Sequence, residues 1–101
     1  MPLAGQTLFI VGLSLFTLAP NFRIPFGHKH PNQEEVYVLV KGSARIKIED
    51  DVVELEPWDA VRIGKDTMRN VEAGPEGAEY IAFGAGTDPR DAEMKPGWWS
   101  D

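Results

Sequence analysis

Two histidines and a glutamate stand close together in the run Gly27-His28-Lys29-His30-Pro31-Asn32-Gln33-Glu34-Glu35. Imidazole and carboxylate are side chains that bind divalent metals of intermediate softness. These are the only 2 histidines of the chain, and they lie two positions apart. On a β-strand, residues two apart point to the same face. Glu35 is an odd number of positions further on, so a loop or kink over residues 31–33 must return it to that face. The strand signal then resumes at once in Val36-Tyr37-Val38-Leu39-Val40. The spacing predicts two imidazoles and one carboxylate aimed into one cavity. Two histidines and a carboxylate with open positions form the ligand set of non-haem iron(II) oxygenases, and the same set serves catalytic zinc.

The elements that position such a cluster belong to one small domain. At 101 residues with 43% hydrophobic content, the chain can bury a single core of modest size and is not compositionally disordered. A net charge of −6, with the 10 Lys and Arg scattered, excludes nucleic acid as a partner, which needs a basic patch. The absence of cysteine excludes disulfides, thiolate nucleophiles and Cys-based zinc sites, and fits a cytoplasmic protein. Residues 1–22 carry no charged side chain. A signal peptide needs a basic start, and none precedes Leu8. A spanning helix needs ~20 predominantly apolar residues, and here Gln6, Thr7, Ser14, Thr17, two glycines and Pro20 interrupt the run. No membrane is expected as a partner; residues 7–18 read as two buried strands hinged at Gly12.

Strand signals recur at short spacing, with turn signals between them. Candidates are residues 7–11, 13–18, 34–40, 44–49, 52–55, 60–63, 68–71 and 78–83. Residues 44–49 alternate strictly, as a half-buried strand should, with Arg45, Lys47 and Glu49 on the solvated face. Gly42 ends the strand before them, Asp50-Asp51 makes a hairpin turn, and Gly74-Pro75-Glu76-Gly77 reads as a loop. No segment sustains a 3.6-residue period. Many short strands with Gly/Pro-rich turns mean an all-β sandwich or barrel. Residues 1–101 form one domain, with a barrel core over about residues 7–85. The tail, 86–101, lacks strand patterning. Its Trp98-Trp99 pair would be costly to leave solvated, so the tail is expected to pack on the barrel or on a partner chain.

At this point the residues resemble a family. His28-x-His30-x4-Glu35-x6-Gly42 is similar to the first motif of the cupins, G-x5-H-x-H-x3-4-E-x6-G, save that Phe22 stands where its opening glycine belongs. The likeness covers roughly residues 13–85. It implies a jelly-roll barrel of short antiparallel strands, the double-stranded β-helix. It also implies a metal held by His28, His30 and Glu35, with a fourth histidine from a second motif, G-x5-P-x-G-x2-H-x3-N. Laid along residues 58–73, that motif meets Trp58, Gly64, Asp66, Arg69 and Ala73, and none of these matches. The implied cofactor is therefore a three-ligand divalent transition metal: Fe, Mn, Ni or Zn.

Arg69 stands where the fourth ligand would be. Guanidinium stays protonated and has no lone pair to give. At ~6 Å, a dication and one Arg repel by several kcal/mol even at an effective dielectric of 20. Either Arg69 turns aside to bind an anionic substrate beside a three-ligand metal, or it pairs with Glu35 and no metal is bound. A surface strand arginine is the plain alternative. Glu35 shares a strand face with Tyr37 and Leu39, and Tyr37 is either a core residue or a proton donor. Trp58 reads as a core or rim aromatic. Phe22, Ile24 and Phe26 either line a pocket mouth or plug the barrel end. Three functions stay open: a metal-dependent oxygenase, isomerase or lyase acting on a small anionic molecule; a metal-free small-molecule-binding barrel with a Glu35–Arg69 pair; and an interaction module. A homodimer that hides an edge strand is compatible with each.

Overall fold

The computed structural model describes residues 12–86 and 91–101. The described residues hold seven strands and no helix: β1 (Gly12–Leu18), β2 (Phe26–Lys29), β3 (Gln33–Ile48), β4 (Asp51–Leu55), β5 (Ala60–Ile63), β6 (Arg69–Gly86) and β7 (Glu93–Pro96). Every pairing is antiparallel. Hence no helix among them is long and apolar enough to cross a membrane, which says nothing of crossing by strands. The first expected strand, residues 7–11, lies outside the described residues.

Two long strands organise the barrel. β3 and β6 pair along most of their lengths, with register shifts between Leu39 and Lys41 and between Gly42 and Ala44. The shifts bend both strands, so each serves two sheets. In the first sheet, β1 pairs with the 78–84 stretch of β6, which pairs with the start of β3, which pairs with β5. In the second, β7 pairs with β2, β2 touches β6 at His28↔Arg69, and the start of β6 pairs with the end of β3, which pairs with β4. The apolar core lies between them, formed chiefly by Tyr37, Leu39, Ile46, Leu55, Ile63, Val71 and Tyr80.

The bend explains a difference from the expected elements. Gly42 and the Gly74–Gly77 loop were expected to end strands, but each lies inside a continuous one. Gly42 and Gly77 have φ of +84° and +82°, and a Cβ on Gly42 would lie 2.0 Å from the Gly77 carbonyl oxygen. Left-handed backbone and close approach both call for glycine, here to fold two paired strands over together. The extra residue also switches facing parity. Gln33, Tyr37 and Leu39 are buried before the bend, Ala44 and Ile46 after it.

Three further expectations are corrected. Residues 12–18 form a strand, but not a buried one: among the described residues β1 pairs with β6 alone, Ser14 and Phe16 face the cavity, and Leu13 and Leu15 are 69% and 65% exposed. Trp58 is not a core residue. It is 73% exposed, at φ +74°, on the turn between β4 and β5. Residues 93–96 form β7, which has no alternating apolar pattern because it is exposed throughout. Backbone pairing with β2 and the docking of Trp99 hold it.

Candidate metal centre

The cavity between the two sheets has a volume of about 370 Å³, and its wall includes His28, His30, Gln33, Glu35, Tyr37 and Arg69 among apolar residues such as Phe16, Ile24, Phe26, Tyr80 and Met94. Each donor arrives from a different support. β2 carries His28, which faces Arg69 of β6. His30 follows β2, and its carbonyl oxygen accepts from the Asp66 amide at 2.8 Å. Asp66 itself has φ +57°. The start of β3 carries Glu35, opposite Ile63 and Gly84. Gly84 is small for a reason: a Cβ there would lie 2.4 Å from Gln33 Oε1 and 3.3 Å from Glu35 Cγ.

The structure brings His28, His30 and Glu35 together. One donor atom from each lies within 4.8 Å of the others. Glu35 Oε1 is 3.5 Å from His30 Nε2 and 3.9 Å from His28 Nε2. The imidazoles are nearly perpendicular, with centroids 5.1 Å apart. Metal–ligand bonds of about 2.0–2.2 Å place two donors on one ion roughly 3.0–3.6 Å apart. The donor set therefore fits a divalent ion after small side-chain adjustments. Burial first, and then the positive charge of Arg69, disfavour the charged form of His28, pushing its pKa down to about 4. Its imidazole is neutral at ordinary pH, with a lone pair to give.

Arg69 is fully buried, not a surface arginine. Its Nη2 donates to Glu35 Oε1, its Nη1 to the Thr67 carbonyl at 2.8 Å, and its Nε to the Tyr37 hydroxyl at 3.3 Å. The Tyr37 hydroxyl in turn donates to Glu35 Oε1 at 3.3 Å. Burial, with only partial relief from the Arg69 guanidinium, pushes the Tyr37 phenol up to about 12. Tyr37 is a protonated core residue that ties Arg69 to Glu35. Of the apolar stripe, Ile24 and Phe26 line the cavity and Phe22 is exposed.

Two residues at the site escaped the sequence reading. Asp91 Oδ1 lies 2.8 Å from His30 Nδ1, and its Oδ2 accepts from the Asn32 amide at 2.6 Å. Gln33, read as a loop residue, is buried in β3, with Nε2 3.2 Å from Asp91 Oδ1 and 2.9 Å from His30 Nδ1. Burial works against the Asp91 carboxylate, but the hydrogen bonds from His30, Asn32 and Gln33 outweigh it and hold the carboxyl below its usual range. Asp91 is 61 positions from His30 in a segment without strand pattern, so no local signal could have found it. Gln33 carried one: it has the parity of Glu35.

No family model matches the chain, and no curated protein matches it. Solved structures do. A cupin protein from Bacteroides fragilis superposes with a TM-score of 0.71 at 22% identity, over 88% of this chain and 84% of that one. An uncharacterized conserved protein with a double-stranded β-helix domain, from Klebsiella pneumoniae, superposes at 0.73 and 16% identity, over 93% and 88%. A predicted oxalate decarboxylase from Thermotoga maritima superposes at 0.71 and 18% identity, over 77% and 68%. The chain therefore has the cupin fold, the double-stranded β-helix.

Proposed function

We propose that this domain holds a divalent transition metal on His28, His30 and Glu35 and binds a small anionic molecule beside it. The convergence of three donor atoms on the cavity wall carries this reading. A bound ion of this kind supplies Lewis acidity or redox chemistry at its open positions. The chain's own residues supply the rest. Glu35 and Arg69 cancel in charge, so a dication leaves a net positive cavity that favours an anion. A carboxylate has about four lone-pair sites on two oxygens, so Glu35 can serve Arg69 and a metal together. With Nε, Nη1 and Nη2 each engaged within the protein, Arg69 fixes the aim of Glu35 and offsets its charge beside the bound ion. The apolar remainder of the wall favours a compact anionic ligand and excludes water around it. The name of the Thermotoga maritima neighbour, a predicted oxalate decarboxylase, fits this substrate class. Oxygenase, isomerase and lyase chemistry are all compatible with the donor set.

The buried Glu35–Arg69 pair also favours a second reading, a metal-free barrel that binds a small acid. Elemental analysis decides between them. Protein purified without added metal should carry near-stoichiometric Fe, Mn, Ni or Zn, and a chelator should lower its melting temperature. Negligible metal, and no thermal shift when these ions are added back, would leave the metal-free reading.

A further inference from the structure

The segment Asp91–Asp101 wraps the outside of β2 and returns one carboxylate to the site. β7 pairs with β2 from Phe26↔Pro96 to Lys29↔Glu93. Trp98 covers Gly27 so closely that a Cβ there would lie 2.6 Å from the indole. The other side of β2 meets β6 at the single pair His28↔Arg69, so β7 supplies most of the backbone pairing of the strand that presents His28. Asp91, at the head of this segment, reaches His30.

We infer that Asp91 is a positioning residue that keeps the His30 proton on Nδ1, leaving the Nε2 lone pair available on the cavity side, where Glu35 also presents an oxygen. Ionised carboxylates only accept hydrogen bonds. A contact of 2.8 Å between Asp91 Oδ1 and His30 Nδ1 is therefore a hydrogen bond only if Nδ1 carries the proton. In the opposite tautomer, two lone pairs would face each other at that distance. Among the described residues, Gln33 Nε2, at 2.9 Å, is the group placed to donate to an unprotonated Nδ1. That amide also lies 3.2 Å from Asp91 Oδ1, where one of its N–H groups donates without opposing the carboxylate. Asp91 is itself held, because its other oxygen takes the Asn32 amide at 2.6 Å. The free nitrogen of an imidazole is set by the hydrogen bond its other nitrogen makes. Here that nitrogen is Nε2, 3.5 Å from Glu35 Oε1.

The assignment rests on the metal-site reading for its purpose but not for its test. Long-range proton–nitrogen NMR of the metal-free protein, at about pH 8 where ordinary imidazole is neutral, reports the tautomer directly. The chain has 2 histidines, so a His28→Asn variant leaves His30 alone for assignment. The expected result is an Nδ1-protonated His30, shifting in Asp91→Ala to a mixture or to the Nε2-protonated form. Asp91→Asn should lie between, since His30 Nδ1 and the Asn32 amide meet different carboxylate oxygens and an amide keeps only one of them. A simple loss of packing would not move the tautomer ratio in this graded way. An Nε2-protonated His30 in the parent protein overturns the proposal without any variant needing to fold. So does an unchanged tautomer in Asp91→Ala. With Zn²⁺ as probe, Asp91→Ala should bind about 10–100-fold more weakly than the parent. If the parent shows the Nδ1 tautomer and binds no Zn²⁺, the positioning role stands and the metal reading falls.

Discussion

β6 carries two carboxylate–guanidinium clusters, one on each side of the sheet, and they are built for different ends. Inside, Arg69 is completely enclosed and paired with Glu35. Outside, Glu72 is shared by Arg23 at 2.9 Å and Arg45 at 2.5 Å, with the two guanidinium carbons 4.2 and 5.2 Å from the Trp99 ring centre. The outer cluster is partly solvated, and any of its members can turn to water when a partner is lost. Arg69 has no such alternative: its charge is tolerable only while Glu35, Tyr37 and the Thr67 carbonyl surround it. Burial converts the same pair of side chains from a fastening into a fixed part of the site.

The sharpest break of that contrast is Glu35→Ala. It strands the Arg69 charge in the barrel and should destabilise by about 3–5 kcal/mol in urea unfolding. Replacing both Glu35 and Arg69 by leucine should recover most of that loss while abolishing metal uptake, because a buried ion pair exchanged for apolar volume is often close to neutral. Trp99→Ala comes next. Trp99 is buried and roofed by Arg23, and its removal should cost about 3 kcal/mol in the same experiment. Glu72→Ala should cost clearly less, about 1 kcal/mol, because Arg23 and Arg45 keep access to water when it is lost. A Glu72 variant as unstable as the Glu35 variant would remove the distinction between the two clusters.

These differences also account for what could be read from the chain. His28, His30 and Glu35 lie within eight positions, so local periodicity and one kink suffice to bring them together. The parity of Glu35 with Tyr37 and Leu39 was legible too, and so was the all-β class. Arg69 could be lined up with the site by the resemblance to the cupin second motif, but its enclosure depends on Glu35 and Tyr37, which the barrel brings to it from β3. Gly42 and Gly77 gave a true signal of left-handed backbone that read as strand ends, because a bend within a strand and a turn after one call for the same residue. The exposure of β1 escaped because an apolar stretch looks the same whether one or both of its faces are covered. Asp91 escaped because contact across 61 positions leaves no trace in local pattern.

The smallest expected effect tests the outer cluster by pH. Asp101 accepts from Arg23 Nη1 at 2.9 Å, and this hydrogen bond, with the charge of Arg23, holds its carboxyl below the usual range. A carboxyl whose pKa is lower folded than unfolded binds more protons unfolded. Its stabilisation is complete above the ordinary value of about 3.9 and is lost as pH falls through the folded value. Asp101→Asn should therefore melt slightly lower than the parent at neutral pH, with the gap closing below about pH 4. Because the carboxylate is solvent-exposed, salt should shrink the neutral-pH gap as well. A gap that persisted undiminished in acid would mean that Asp101 holds the segment by packing rather than by charge, and the outer cluster would then be less unlike the inner one than its exposure implies.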